Sequence, residues 1–199
     1  MTYRYLAAVL LLTTLLLPSL AGAQGLGYNH VEAGFARLET DNDMTIDGVV
    51  VQGSWLVGRN LFLTAGFSDA DSDYFPGLPV WAESETLAAG LGYRVGLAEA
   101  TDWVTTASYL RGKTTLRTRY YRLDRSSDDG FGIYTGIRHL WTERLELAAG
   151  VSYSDLMGSD ETALEASLVY HLNTTVGVKG GASYSDEGHG FNVGLRLKF

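Results

Sequence analysis

Residues 190–199 read GFNVGLRLKF, and in this stretch every second side chain is apolar. The apolar positions are Phe191, Val193, Leu195, Leu197 and Phe199. Between them lie Asn192, Gly194, Arg196 and Lys198. A period of two is the repeat of a β-strand with two unlike faces. The stretch therefore predicts a strand that is apolar along one whole face.

The same alternation recurs along the rest of the chain, and no segment after residue 24 keeps a 3.6-residue apolar period for three turns. Ten strands are predicted, at residues 28–39, 46–57, 61–70, 83–96, 102–115, 128–140, 145–156, 161–172, 175–185 and 189–199. Short turns alternate with longer loops, the longest at 70–82 and 114–128. This order predicts an all-β fold, a ten-stranded antiparallel up-and-down barrel, with eight strands as the alternative count.

The residues of the non-apolar face decide which face is outside. In the fourth strand Leu87 and Leu91 alternate with Gly90 and Gly92, and the sixth and ninth strands repeat this use of glycine. A water-facing exterior would carry Lys, Glu and Thr, whereas glycine weakens a strand unless space is tight. Small residues fit the crowded interior of a narrow barrel. We therefore predict that the apolar face points into lipid.

Aromatic residues on the apolar face give a second argument. One group lies near the short turns: Tyr28, Trp55, Tyr93, Trp103, Tyr170 and Phe199. The other lies near the long loops: Phe67, Tyr109, Phe131, Tyr153, Tyr184 and Phe191. Two aromatic belts about 25 Å apart are typical of transmembrane barrels. The last strand is expected to pair with the first, because an open edge in hydrocarbon leaves amides without partners.

The N-terminus has the pattern of a secretory signal. Arg4 precedes an apolar run that is too short to span a bilayer and ends at Pro18, and Ala21-Gly22-Ala23 is a small-x-small cleavage site. We expect a signal peptide at 1–23 and one barrel domain at 24–199. The chain has no cysteine, so stability must come from backbone pairing and packing. Its net charge of −8 argues against nucleic acid as a partner.

The final strand resembles the assembly signal of Gram-negative outer-membrane β-barrels, which implies recognition of Phe191, Val193, Leu195, Leu197 and Phe199 by the barrel assembly machinery. The whole mature chain resembles the small barrels typified by the OmpA and OmpX transmembrane domains. The stretch Tyr28–Gly34 is similar to a short ten-stranded group known from xanthomonad-type bacteria. The resemblance implies a location in the outer membrane, among its lipid and lipopolysaccharide. We expect a monomer, because no seam is evident on the outward face.

The predicted lumen contains acids interleaved with bases. The set comprises Glu32, Arg94, Arg138, Glu146, Glu165, His171, Lys179, Arg196 and Lys198, with His30 and Tyr134. Buried charges must pair or bind water. The set could line an ion-conducting path, or it could fill and seal the interior. For so few strands the sealed interior is the favoured interpretation.

The predicted loop 111–129 is basic in an otherwise acidic chain. Its cations are Arg111, Lys113, Arg117, Arg119, Arg122 and Arg125. Guanidinium groups suit phosphate and sulfate, so the loop is a candidate site for lipopolysaccharide phosphates or another surface polyanion. Alternation through Thr114, Leu116 and Thr118 suggests that the hairpin projects past the membrane. The alternative is a solvated loop whose bases balance nearby acids.

Acidic groups recur where loop tips are predicted, for example at Asp69, Asp71 and Asp73. This run lacks the glycine and the distal Glu of an EF-hand loop, so no specific metal site is predicted. Ser185, Asp186 and His189 lie together in sequence, but triads are recognised by geometry and not by spacing. We therefore expect no catalytic residue and no cofactor.

Three functions are compatible with these patterns. The first is a non-enzymatic outer-membrane protein with a structural or surface-binding role through its loops. The second is a narrow pore or transporter for ions or small solutes. The third is a lipid-modifying enzyme, for which Ser185 and His189 would be needed.

Overall fold

The structure is a computed structural model that describes residues 26–40, 44–73, 80–118 and 121–199, with the side chain of Arg122 outside the description. The predicted signal peptide, 1–23, lies outside the described residues. Ten strands form a closed antiparallel barrel in which each pairs with its sequence neighbours and β1 pairs with β10. They are β1 His30–Thr40, β2 Thr45–Leu56, β3 Leu61–Ser72, β4 Val80–Ala98, β5 Thr101–Thr118, β6 Arg122–Thr142, β7 Leu145–Leu156, β8 Ser159–His171, β9 Val176–Ser185 and β10 Gly188–Lys198.

The predicted fold class and strand number are confirmed. Closure runs in register from His30 opposite Lys198 to Thr40 opposite Gly188. No helix in the described part of the chain is both long enough and apolar enough to cross a membrane.

The three central strands are longer than the sequence predicted. β4, β5 and β6 contain 19, 18 and 21 residues, whereas the other seven contain 10 to 13. Most of the predicted loop 114–128 is therefore paired strand. The alternation through Thr114, Leu116 and Thr118 predicts a projecting hairpin, and β5 and β6 do pair as far as Arg117 opposite Arg122. We call the long-loop end of these strands, residues 80–86, 111–118 and 122–130, the β4–β6 extension; here β6 continues past the end of its pairing with β7, and β3 pairs with β4 only as far as Glu83.

Tight connections join β7 to β8 and β9 to β10 at the same end of the barrel. β7 and β8 are linked through Met157 and Gly158, which have φ angles of +60° and +75°. Positive φ at both central residues is the geometry of the two-residue hairpin turn that matches strand twist. The connection between β7 and β8 is therefore a two-residue hairpin turn.

The apolar face points outward, as predicted. Leu87, Leu91, Phe191 and Val193 are each 55–58% exposed. In the described residues only Tyr28, Phe62, Val104 and Val169 are buried hydrophobic residues, so the apolar surface of the barrel is its exterior. A surface of this kind is stable in hydrocarbon and not in water.

Glycines face inward where strands or rings come close. A Cβ on Gly92 would overlap the ring of Phe62, and one on Gly34 would meet the β10 backbone at Gly194 Cα, 2.8 Å away. The prediction that inward glycines serve a crowded interior is consistent with these contacts.

Tyr28 corrects the predicted aromatic belt. Its ring is only 3% exposed and lies inside the barrel, 5.0 Å from the ring of Phe62. The chain enters the lumen before β1 begins at His30, so Tyr28 has the inward phase of His30 and Glu32 and not the outward phase of Val31. Trp55 and Phe199 do meet on the outside, with ring centroids 5.7 Å apart.

Candidate functional site

The centre of the lumen at the short-turn end is an ion-pair network, which we call the floor. Its acids are Glu32 on β1 and Glu146 on β7, which are 4% and 2% exposed. Arg196 on β10 joins them, because its Nε donates to Glu32 and one terminal nitrogen donates to Glu146 Oε1 at 2.9 Å. The network therefore crosses the interior from one wall to the opposite wall.

Further bases complete the floor. Arg138 donates to Glu146 Oε1 through Nε at 3.0 Å and through a terminal nitrogen at 2.7 Å. Lys179 Nζ donates to Glu32 Oε2 at 2.6 Å. His171 Nε2 lies 3.7 Å from Glu146 Oε2 and 3.1 Å from Lys198 Nζ. Charge-assisted bonds of this kind compensate buried charges for the loss of water.

A second cluster lies beside the floor and is centred on Tyr28. The Tyr28 ring lies between the guanidinium groups of Arg138 and Arg94, 4.4 and 4.9 Å from the ring centroid. Its hydroxyl donates to Asp102 Oδ2 at 2.8 Å, and Arg94 donates to the same oxygen at 3.2 Å. Two cation–π contacts and a shared carboxylate fix the ring across the lumen.

The segment before β1 thus closes the short-turn mouth. Leu26 and Leu56 pack on the cluster of Tyr28, Phe62 and Val104, and Arg138 donates to the Gly27 carbonyl at 3.2 Å. We call residues 26–29 the strap. The strap and the floor together place buried side chains across the lumen at the short-turn end.

Most of the predicted lumen residues belong to one network, but the sequence did not predict several of their partners. Seven of them are connected by ion pairs, and Lys198 joins through His171: the seven are His30, Glu32, Arg138, Glu146, His171, Lys179 and Arg196. Arg94 belongs instead to the Tyr28 cluster, and no ion pair of Glu165 is present among the described residues. The missed partners are Tyr28, Asp102 and Gln52, whose side-chain amide donates to Glu32. The position of each in the two-residue alternation already places it inside.

Above the floor the lumen is open. A cavity of about 260 Å³ is lined by Tyr134, Glu165, Ser167, Lys179, Ser183 and Asn192. A vestibule of about 360 Å³ shares Glu165, Ser183 and Asn192 with it and reaches the loop end at Leu38 and Glu161. The interior therefore has the shape of a cup that is closed toward the short turns.

The outer face of the β4–β6 extension carries cross-strand ion pairs. Lys113 on β5 bonds to Glu85 on β4, and Arg117 Nε lies 2.7 Å from Glu83 Oε2. Arg111 lies 3.8 Å from Asp129 on β6. Three of the six predicted loop cations are therefore paired with acids. Of the others, Arg125 is exposed on β6, and Arg119 and the Arg122 side chain lie outside the description.

The acidic tip predicted at Asp69, Asp71 and Asp73 is also corrected. Asp69 and Asp71 lie within β3, where they are register partners of Glu85 and Glu83 on β4. Asp71 is also the partner of Asp47 on β2. The outer rim is thus acidic on β2 to β4 and basic on β5. The ion pairs of Lys113 and Arg117 cross this boundary, and that of Arg111 joins β5 to β6.

The three residues considered for catalysis are not assembled. Ser185 is buried on the inward face of β9, and His189 is half exposed on the outward face of β10, 3.2 Å from Glu39. The sheet separates the serine from the histidine, so His189 cannot act on the Ser185 hydroxyl in this arrangement. Within the described ranges, no group of three or more His, Asp or Glu side chains is arranged to hold a metal ion.

Comparisons with known proteins identify the fold. No protein-family model and no curated protein matches the sequence. Among solved structures, the chain is similar to Neisserial surface protein A, with a TM-score of 0.51 and 11% identity over 85% of this chain and 95% of that one. It is similar to the translocator domain of the autotransporter NalP from Neisseria meningitidis, with a TM-score of 0.50 and 12% identity over 88% and 89%.

A third similar structure is Ail, the attachment invasion locus protein of Yersinia pestis, in complex with the heparin analogue sucrose octasulfate. The TM-score is 0.49, with 12% identity over 87% of this chain and 99% of that one. At such identities the likeness concerns the fold. The closed barrel and its apolar exterior make the chain an integral outer-membrane β-barrel protein.

Proposed function

We propose that the protein is a non-enzymatic outer-membrane barrel that acts by contact at the cell surface through the β4–β6 extension. The observation that carries the proposal is the extension itself. A transmembrane strand needs about 9–11 residues, and β4, β5 and β6 exceed this by enough to project well beyond the membrane. A projecting sheet is a stable platform for recognition because its side chains are held by strand pairing.

The chemistry of the platform favours anionic groups. Arg111, Lys113 and Arg117 lie on one face of β5, and Arg125 continues that face on β6. The outward side chains nearest the apolar belt meet the headgroup layer, where lipopolysaccharide presents phosphates. Guanidinium groups bind phosphate or sulfate in bidentate geometry. The neighbouring acids hold these cations in place, and a polyanion would compete with the acids for them.

Binding to a polyanion tests this function. The variant Arg111→Gln, Lys113→Gln, Arg117→Gln should bind immobilised heparin or lipopolysaccharide vesicles at least tenfold more weakly than the parent. The matched control is Arg59→Gln, Arg144→Gln, which removes exposed cations at the short-turn end. Native folding is checked by the gel shift on heating. Equal binding by both variants would refute the basic face as the contact element.

The alternative function is a narrow pore, and the floor argues against it. Glu32, Arg196 and Glu146 bond across the lumen, and the strap lies beside them. In planar bilayers the refolded protein should give no stable unit currents. Stable currents that change when Arg138 or Glu165 is substituted would favour the pore.

A further inference from the structure

The cavity above the floor is lined by hydroxyl, amide, charged and aromatic side chains. Ser167, Gly181 and Asn192 are register partners one step above Val169, Lys179 and Gly194, so the cavity rests directly on the floor. Gly181 leaves room for Asn192, since a Cβ there would lie 2.7 Å from Asn192 Nδ2. The strand register thus determines both the position of the cavity and its depth.

Tyr134 forms one wall of the same cavity. Its ring lies across Gly136 and Gly150, where added Cβ atoms would come within 2.6 and 2.7 Å of the phenol oxygen. The two glycines therefore allow the ring to extend into the lumen. An aromatic face next to hydroxyl and amide groups is a common way to bind small polar molecules with C–H faces.

One charged side chain of the cavity lining, Glu165, has no oppositely charged partner among the described residues. Lys179 is held by Glu32 at 2.6 Å and belongs to the floor. Glu165 has neither an ion pair nor a hydrogen bond among the described residues, although it lines both the cavity and the vestibule. The Glu165 side chain is exposed to the open lumen, so water screens its attraction for a cation, and a bound cation needs further hydrogen bonds to the neighbouring hydroxyl and amide groups.

We infer that the cavity is a binding site for a small organic cation that also carries hydroxyl groups, such as an amine-bearing monosaccharide. The ammonium group would meet Glu165, and the hydroxyl groups would bond to Ser167, Ser183 and Asn192. A volume of about 260 Å³ admits one such ring. The ligand enters from the loop end through the vestibule and leaves the same way, since the floor blocks passage below.

Calorimetric titration of the refolded protein in detergent tests the site. The probes are glucosamine, which has both features, glucose, which lacks the charge, and tetramethylammonium, which lacks the hydroxyl groups. Saturable binding of glucosamine at least tenfold tighter than of the other two is expected. Equal or absent binding of all three would mean a cavity that holds water, and it would overturn the inference.

Variants locate the binding site. Glu165→Gln should weaken glucosamine binding at least tenfold and leave glucose unchanged, and Asn192→Ala should weaken both sugars. Glu85→Gln removes a carboxylate from the outer face and is the matched control. If Glu165→Gln binds glucosamine as Glu85→Gln does, the site is not this cavity. The same conclusion follows if all variants bind glucosamine with one weak, unchanged affinity.

The outcome is independent of the contact function. Glucosamine binding concerns the inside of the barrel, whereas heparin binding concerns the outer face of the extension. Either proposal can therefore fail while the other stands.

Discussion

The floor and the β4–β6 extension are built from the same residue types but differ in what surrounds them. In the floor, Glu146 is 2% exposed and is shared by Arg138 and Arg196. In the extension, the side chains of Lys113 and Glu85 are 29% and 48% exposed. Removing one partner from a buried pair leaves an uncompensated charge, whereas water replaces a partner at the surface. The floor therefore stabilises the barrel, and the extension is free to exchange partners.

The largest effect is expected for Glu146→Gln. The change leaves Arg138 and Arg196 without their shared carboxylate, and breaking a buried pair costs about 3–5 kcal/mol. The free energy of unfolding in detergent micelles, followed by tryptophan fluorescence in urea, measures the loss.

Glu143→Gln is the control for that measurement, because Glu143 is exposed in the turn between β6 and β7. Its stability should equal that of the parent. A loss for Glu146→Gln no greater than for Glu143→Gln would show that the floor does not contribute to stability as its burial suggests.

The second effect concerns the strap. Tyr28→Ala removes a buried ring between two guanidinium groups, and aromatic-to-alanine changes in a packed interior cost about 3–5 kcal/mol. Because the floor remains intact, we expect a lower urea midpoint without stable currents in planar bilayers. Tyr184→Ala, at an outward ring that is 65% exposed, is the matched control and should change stability less. Currents in Tyr28→Ala would make the strap, and not the floor, the seal of the lumen.

The third effect compares two glycines on opposite faces. Gly92→Ala forces a methyl group into the ring of Phe62, and overpacking of this kind costs about 1–3 kcal/mol. Gly180 faces outward with no other atom within 4 Å of an added Cβ, so Gly180→Ala should be neutral. The same unfolding measurement distinguishes them. Equal effects would contradict the assignment of the inner and outer faces.

The period of two was sufficient to predict the ten strands and their faces, because lipid on one side and a crowded lumen on the other impose it on every strand. It did not predict the partners. Whether Arg196 meets Glu146 depends on barrel diameter and register, which no local pattern encodes. Tyr28 is wrongly predicted because the assignment to the aromatic belt rests on its residue type. Its position in the two-residue alternation, which it shares with His30, places it inside.

The extension is predicted only in part: alternation through Thr114, Leu116 and Thr118 suggests a projecting hairpin, but the full length of β4, β5 and β6 is not predicted. The charged residues of the predicted basic loop, such as Arg117 and Arg125, favour a loop, because a charged run considered alone is usually a solvated segment. Only the register shows that Lys113 approaches Glu85 and that Arg111 lies opposite Asp129. Ion pairs across strands stabilise the sheet only after it has formed, so the strand propensity of a single segment does not predict them.

The smallest effect is expected for the pair Lys113 and Glu85. Both side chains are partly exposed, so solvent screening limits the coupling to below about 1 kcal/mol. A double-mutant cycle with Lys113→Gln and Glu85→Gln measures it, and the coupling should fall further as salt is raised, because the screening length shortens to about 3 Å at 1 M. A coupling of several kcal/mol that resists salt would mean that the extension is as shielded as the floor. In that case its cations could not be released to a polyanion, and the contact function proposed for this face would fail with it.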